Sequence, residues 1–425
     1  MRKIILLLIV IIPLQICGQT LSDVIQAALD FNHQSKSAKK MVEAAEQDKV
    51  SEEQSQLPTL SLKANYMHVT DEPKFDIPIP GFNKSISLNP MDRYETGIQL
   101  DYVVFSGFAQ TQAVRVKEFE YKLSQLDENQ KNKDVAFNTI QAYRNAQLMK
   151  LSLDILADTR QRNIVQMDRA RALLENGMVL QLDTLSLALN RLDIEHQIIQ
   201  SQAVLENWLQ LLKTLTGKNI ELSNTNEMNS NPGYNDYTAE DQNALKALQL
   251  QQQKIEAAMN ISKSGYYPKV LLNASFNYGK PGIDIINNEW SSYGQWMIGL
   301  QWNIWKWGAD QASVQARQLQ FEALQFSEQS VADQQKLNYD KAVRAFLALK
   351  KQSIVAQKAV KVAREKMQIV QANMENGQLS ASDFNEANLE LSQAELRQKQ
   401  NLVQLNLQAN EIDYLSGKPV NFWRL

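Results

Sequence analysis

Cysteine is almost missing from this chain: Cys17 is the only one in 425 residues. That excludes a disulfide framework and any zinc site built on paired thiols. Histidine is nearly as scarce, and His33, His68 and His196 are scattered. There is no Gly-Lys-Ser/Thr phosphate loop, no Gly-x-Ser-x-Gly elbow and no His-Glu-x-x-His pair, so the usual signatures of an enzyme are lacking. No cofactor and no metal are expected. An excess of one charge is lacking too. The 44 basic and 47 acidic residues nearly cancel and form no basic block, which leaves nucleic acid without an electrostatic footprint. Beyond the N-terminus no run approaches the roughly 18 apolar residues of a spanning helix, so entry into a membrane as a helical bundle is excluded. Proline and glycine are absent from Phe108 to Asn176 and again from Ala309 to Asn376.

Those two clean runs are the first clue to what is present. At about 1.5 Å per residue, each would make a helical rod of about 100 Å. Two shorter helical stretches, about Leu21 to Gln56 and Asp183 to Thr216, together match the length of one long run. The N-terminus reads as a signal peptide over residues 1–18. Arg2 and Lys3 precede a short apolar core, Gly18 suits the position before cleavage, and the mature chain begins near Gln19. Lipidation of Cys17 is the competing reading, and bulky Ile16 before it counts against that.

The chain is two copies of one plan. At an offset of 200, residues 175–218 align with 375–418 without a gap. They share Glu-Asn-Gly, Asp183 with Asp383, Leu189 with Leu389, and the endings LTGK and LSGK. Upstream, LPTLSLKANYMHV (from Leu57) parallels YPKVLLNASFNYG (from Tyr267), and GIQLDYVVFSGFAQ (from Gly97) parallels GLQWNIWKWGAD (from Gly299). The first repeat covers 19–218, a linker with Pro232-Gly233 covers 219–238, and the second repeat covers 239–425. Each runs helix, strand, loop, strand, long helix, tight turn, helix.

The strand segments, about 58–69, 95–105, 268–279 and 295–305, alternate apolar with polar residues at period two. Such a pattern suits a half-buried soluble sheet or a membrane barrel. Five of seven tryptophans (Trp290, Trp296, Trp302, Trp305, Trp307) crowd the fourth strand and its ends, as an interface girdle requires, and this favours the barrel. The connections Thr70 to Arg93 and Lys280 to Tyr293 read as long outward loops. Four strands cannot close a barrel, and open edges do not survive in lipid, so an oligomer is required. The fold class is thus a mixed α/β membrane protein. Its duplicated plan gives four strands per chain to an oligomeric barrel and builds a long antiparallel coiled coil.

The helices carry 3-4 seams. On the second long helix the seam runs Phe346, Leu349, Ser353, Ala356, Val360, Ala363, Met367, Val370, Met374 to Gly377. On the first return helix it runs Leu182, Leu185, Leu189, Leu192, His196, Ile199 and Ala203, with His196 read as a packing residue. Gly177 and Gly377 end the long helices as C-caps, so each repeat makes a helical hairpin with a distant tip.

Over the whole mature length this plan resembles the TolC-type outer-membrane channel family. The opening TLSDVIQAALDFNHQSKSAKK, LPTL before the first strand and FSGFAQ after the second carry the likeness along with the duplicated layout. The resemblance implies a homotrimer with a twelve-stranded barrel in outer-membrane lipid, a tunnel through the periplasm, and tips that dock a periplasmic adaptor (membrane fusion) protein. Through that adaptor the duct would meet an inner-membrane pump of the RND or ABC type.

The family's Gly-Leu docking pair corresponds to Gly177-Met178 in the first turn and to Gly377-Gln378 in the second. Its acidic selectivity ring corresponds to Asp383 and Glu386, three apart on one helix face. The family's ionic latch joins an acid at Asp183 to an arginine two residues after the second glycine. That residue here is Leu379, so the latch lacks one partner. The plainer account of Asp183 and Asp383 is that each favours a helix N-terminus. The expected function is a passive exit duct of a tripartite efflux or type I secretion system. The alternative is a membrane-anchored structural or adhesive coiled coil without a lumen.

Overall fold

In a computed structural model, residues 20–71, 74–79, 82–87, 90–223, 237–284, 288–375 and 378–423 are described, with 75–79 and 82–87 described by backbone only. The signal peptide, Cys17, Gly377 and most of the expected linker lie outside them. The first repeat supplies α1 (Leu21–Phe31), α2 (His33–Gln54), β1 (Thr59–His68), β2 (Lys74–Ile79), β3 (Phe82–Ser87), β4 (Asp92–Phe105), α3 (Ala109–Glu175) and α4 (Gln181–Thr216). The second supplies α5 (Asn243–Lys263), β5 (Lys269–Lys280), β6 (Ser291–Gln301), α6 (Ala309–Glu375) and α7 (Ala381–Leu415). The duplicated plan is plain in the lengths: α3 and α6 each have 67 residues, and α4 and α7 have 36 and 35. None of the described helices is long and apolar enough to cross a membrane.

Two compact units cut across the repeats. One comprises residues 40–126 and 246–330, and the other 1–39, 127–245 and 331–425. The first holds an antiparallel sheet in the order β1-β4-β5-β6, which leaves β1 and β6 as edges. Its two strand-to-helix junctions match: Gly107 and Phe108 in one repeat, Trp307 and Gly308 in the other, all at positive φ. A left-handed aromatic residue costs about 1–2 kcal/mol. Its presence at the same joint in both repeats marks a turn that the duplication kept.

Thr70 to Arg93 is more than a loop, because β2 and β3 pair there as a separate two-stranded sheet. The fourth strand ends at Gln301, earlier than alternation suggests. Gln301 is already opposite Lys269, the first residue of β5, so Trp302 has no ladder partner.

The other unit is helical and has three clusters. Leu21, Val24 and Ile25 of α1 pack with Ile140 and Tyr143 of α3, Leu212 of α4 and Trp423. Tyr339 and Phe346 of α6 pack with Ala409 and Ile412 of α7. Near the turns, Met167 and Ala170 of α3, Leu187 of α4, Met367 and Met374 of α6, and Phe384 and Leu391 of α7 share a third cluster. The α6 seam is as expected: from Phe346 to Met374 every seam residue is buried or half-buried. The α4 seam needs correction. Leu182, Leu185, Leu189, Leu192 and Ile199 are each more than half exposed, and His196 is exposed beside Gln200 at 2.9 Å. The face that α4 buries carries Leu187, Ile194 and Leu212 instead.

Candidate functional site: a two-faced sheet and a pair of helical turns

Register decides what each face of the sheet presents, because side chains alternate at period two. One row joins Leu60, Leu100, Ala274 and Trp296, and the next joins Leu62, Ile98, Phe276 and Gly294. Leu62 is 78% exposed and Trp296 74% exposed, so this face is apolar and uncovered in the single chain. On the opposite face Gln99 and Asn273 both donate to Asp101 Oδ1, at 2.7 Å each. Tyr293 OH donates to Glu95 Oε2 at 3.3 Å, and Asn277 Nδ2 donates to Ser275 Oγ at 3.1 Å. Asn277 is buried over Gly97, where even a Cβ would come within 2.2 Å of its Oδ1.

Aromatic rings collect at both ends of the sheet. At one end Tyr66 lies 5.1 Å from Tyr94, Tyr94 lies 6.0 Å from Trp290, and Tyr278 stacks on Trp290 at 5.1 Å. At the other, Phe105, Phe108 and Tyr267 form a chain of edge contacts, Trp305 meets Trp307 at 5.9 Å, and Trp302 Nε1 donates to Tyr266 O. The five tryptophans therefore do not form one group. Trp290 belongs to one end, Trp302, Trp305 and Trp307 to the other, and Trp296 to the middle of the apolar face. The tyrosines beside Trp290 are not evident as a group in the sequence, although Tyr66 and Tyr278 each close an alternating apolar row. From Tyr94 to Phe105 the strand runs about 37 Å. A tilt of about 40° reduces this to about 28 Å, close to the roughly 25 Å apolar band of a membrane barrel.

The first turn ends α3 with Gly177 at φ 72°. Gly177 N–H donates to Leu174 O and Met178 N–H to Leu173 O, both at 2.9 Å, which is the Schellman pattern. The second turn repeats its longer bond, from Gln378 N–H to Asn373 O at 2.9 Å. Met178 is strongly exposed and Gln378 is exposed, whereas Leu379 is half-buried against the third cluster.

The two aspartates after these turns do different things. Asp383 closes its own cap: Ser380 donates to its Oδ2 from N–H at 2.9 Å and from Oγ at 2.7 Å, and Ser380 Oγ accepts from Asp383 N–H. Those bonds from Ser380 hold the Asp383 carboxyl below its ordinary pKa. Asp183 accepts Leu180 N–H on Oδ2 at 3.2 Å, and on Oδ1 it accepts Ala381 N–H from the other hairpin at 3.3 Å. Glu386 is exposed and 3.7 Å from Lys366 Nζ, which bonds Glu390 more closely at 2.7 Å. A polar ladder follows behind the turns. Arg162 Nε donates to Asn388 Oδ1 at 2.7 Å, Asn385 Nδ2 to Ser186 O at 3.2 Å, and Asn163 Nδ2 to Asn190 Oδ1 at 3.2 Å. Sequence reasoning misses this ladder, since its members lie far apart in the chain. Among the described residues no group of His, Cys, Asp and Glu is placed to hold a metal ion.

A sheet with one apolar face, one hydrogen-bonded polar face, two unpaired edges and aromatic ends is a segment of a membrane barrel rather than a soluble layer. The family comparison specifies which barrel: residues 24–218 and 237–418 match the family described as Outer membrane efflux protein, and the chain belongs to it. It is therefore an outer-membrane channel of the TolC type, a passive duct for efflux rather than an enzyme. No curated protein matches the chain. Among solved structures, the Campylobacter jejuni CmeC outer membrane channel is similar at 16% identity and TM-score 0.78, covering 94% of this chain and 86% of that one. The open-state MtrE outer membrane channel of Neisseria gonorrhoeae is 14% identical with TM-score 0.78, covering 95% and 90%. The outer membrane protein VceC of Vibrio cholerae is 13% identical with TM-score 0.75, covering 93% and 94%.

Proposed function

We propose that three copies of this chain close a twelve-stranded barrel, and that the resulting duct is the outer-membrane component of a tripartite efflux or type I secretion assembly. The observation that carries this reading is the pair of unpaired edges, β1 and β6, on a sheet whose apolar face is uncovered. In lipid those edges must be paired. Because β1, β4, β5 and β6 alternate in direction, β6 of one copy meets β1 of the next antiparallel, which keeps the up-and-down order of a closed barrel. The polar face then lines water, and the two aromatic ends, with Trp290 at one and Trp302, Trp305 and Trp307 at the other, act as interface girdles.

The turns form the working end. Gly177, Met178, Gly377 and Gln378 dock the periplasmic adaptor, with exposed Met178 as the apolar anchor, and an inner-membrane pump beyond the adaptor supplies the energy. Asp383, Glu386 and Asp183 set the charge at the narrow end. Leu379 removes the family arginine, and the bond from Asp183 to the Ala381 amide takes over the link between hairpins.

Single-channel conductance in planar bilayers tests the duct. The wild type is expected to pass a cation-preferring current, and Asp383→Ala/Glu386→Ala is expected to weaken that preference. Unchanged selectivity would discard the ring assignment. A folded, inserted protein that conducts nothing would discard the duct and favour a structural coiled coil.

A further inference from the structure

Behind the turns, helices α3, α4 and α7 of one chain enclose a cavity of about 210 Å³. Leu156 and Thr159 of α3 form its floor with Asn388 and Ser392 of α7, each more than nine-tenths buried. Asn190, Asp193 and Gln197 of α4 form its rim. They recur at three and four residues and so share one face. At 100° per residue that face is turned roughly 80° from the buried row of Leu187 and Ile194, which sets it beside α7 rather than among the outward leucines. His196, which spacing alone reads as packing, also stands at this opening. All of these residues belong to the helical unit, and no second copy of the chain is needed to complete the cavity.

Most polar atoms of the floor are already spent. Asn388 Oδ1 accepts from Arg162 Nε at 2.7 Å, and its Nδ2 donates to Thr159 O at 3.3 Å. Thr159 Oγ1 donates to Ile155 O at 2.7 Å and accepts from Arg162 Nη2 at 3.1 Å. Ser392 is the exception. Its residue is 7% exposed, and its hydroxyl makes no hydrogen bond among the described residues. Yet its oxygen is not sealed from solvent, so it opens on the cavity that its residue lines. A buried hydroxyl without a partner is unfavourable, and whatever enters the cavity can supply one.

Charge and size narrow what that is. Gln200 Nε2 donates to His196 Nε2 at 2.9 Å, which leaves the ring uncharged in this arrangement. Asp193 is then the one formal charge in the lining, and among the described residues it has no ion pair. Its neighbours Arg191 and Glu195 pair with each other at 3.1 Å. Arg162, behind the floor, is answered by the carboxylates of Glu395 and Asp158. The cavity is smaller than the roughly 300–1,000 Å³ of pockets that hold drug-sized molecules, so it suits a fragment. An open carboxylate and an open hydroxyl, with Leu156, Ile194 and Leu389 between them, ask for a positive N–H donor on a short apolar stem.

We propose that this cavity is a binding site for a small alkylammonium ion, with Asp193 as its counter-charge, Ser392 as its acceptor inside, and the three apolar side chains around its stem. The site lies within one chain and stands apart from the docking turns and from the acids near the narrow end. It does not depend on the duct reading, and in an oligomeric duct each copy carries one.

The test uses the full chain, extracted in detergent, with Cys17→Ser as background. Gln197→Cys puts a thiol on the rim and keeps the Ser392 hydroxyl, and Ser392→Cys puts one on the floor. At both, 2-aminoethyl methanethiosulfonate should react faster than its 2-sulfonatoethyl counterpart. Measured against the same ratio at Ile199→Cys, on the outward face of α4, the preference should be at least about threefold, because the carboxylate attracts one reagent and repels the other. Adding Asp193→Asn should abolish it. Millimolar n-butylammonium should slow the reaction at Gln197→Cys, and equal n-butanol or butyrate should not. If Ser392→Cys does not fold, Gln197→Cys decides alone. A ratio no higher than at Ile199→Cys, a preference that survives Asp193→Asn, or a reaction that n-butylammonium leaves unchanged would each overturn the site. The conductance experiment decides the duct separately, so either reading can fail without the other.

Discussion

The two helical turns begin with the same Glu-Asn-Gly and have an aspartate six residues after the glycine, yet the return helices behind them live in different surroundings. Behind the first turn Thr184 is half-exposed, while its repeat mate Phe384 is fully buried in a cluster with methionines of two other helices, α3 and α6. Asp183 reaches across to the second hairpin, and among the described residues Asp383 bonds within its own cap. Duplication supplied the same turn twice, and helix packing then made one return helix a flank and the other a centre. A repeat in sequence therefore fixes the local geometry of a turn, not the load it carries.

The strongest way to break that comparison is to truncate the mates. Phe384→Ala removes a buried ring and is expected to cost about 3–5 kcal/mol. Thr184→Ala should cost no more than about 0.5 kcal/mol. Denaturant unfolding of the detergent-solubilised protein, followed by proteolysis near the turns, measures both. Equal losses would mean that the two return helices are equivalent after all.

A smaller effect separates the aspartates. Both Asp183→Ala and Asp383→Ala remove a carboxylate that accepts the N-cap amide of its helix, but only the first frees the Ala381 amide. Asp183→Ala is therefore expected to raise open probability in bilayers, and Asp383→Ala is not. Acid sharpens the point. The carboxyl of Asp383 titrates below its ordinary value because Ser380 bonds its charged form. Its stabilising contribution is complete above the unfolded aspartate pKa, and it is lost as pH falls through the lowered folded value. Hydrogen exchange at the start of α7 should stay slow at pH 5 and quicken only below the ordinary aspartate range. Fraying that begins near neutrality would contradict the cap.

How much of this is legible in the sequence follows the same division. The α6 seam is readable because its one continuous 3-4 row is also the row it buries. Helix α4 carries two such rows, and the one richest in leucine is the one that faces away. Spacing identifies a stripe, but not whether its partner belongs to the same chain. Hairpin β2–β3 is hidden by Pro73, Pro78 and Pro80, which read as loop punctuation although they flank or edge a short ladder. The strand carrying Trp296 reads as longer than it is because alternation continues through Trp302 and Ile304, while hydrogen bonding stops where β5 has no residue left to offer. Asp383 and Glu386 are visible as acids at helical spacing. Their different situations are not, because Ser380 and Lys366 decide them, and Lys366 lies on another helix.

Glycine at the first turn gives the next test in order of size. Gly177 sits at φ 72°, and nothing stands within 4 Å of the place a Cβ would occupy, so Gly177→Ala meets strain but no clash. The expected cost is about 1 kcal/mol, read as a lower melting temperature, with adaptor capture weakened no further than that loss accounts for, because Met178 supplies the anchoring side chain and Gly177 only the turn that presents it. A loss of capture with unchanged melting would mean that the adaptor approaches the Gly177 backbone too closely for any side chain.

The smallest expected effect concerns the charge beside Glu386. Lys366 bonds Glu390 and stands near Glu386, so part of the negative field on this face of α7 is answered from α6. Those same carboxylates, Glu390 first, raise the pKa of the Lys366 ammonium, which therefore stays charged throughout the physiological range. Lys366→Ala should increase cation preference in bilayers modestly, by less than Asp383→Ala/Glu386→Ala decreases it, and with little effect on stability, as exposed ion pairs contribute little. Raised salt should shrink the difference, because charges on an exposed face are screened over about a Debye length. If Lys366→Ala leaves selectivity unchanged at low salt while the double acid variant alters it, Asp383 alone sets the ring, and Glu386 is only a surface partner of α6.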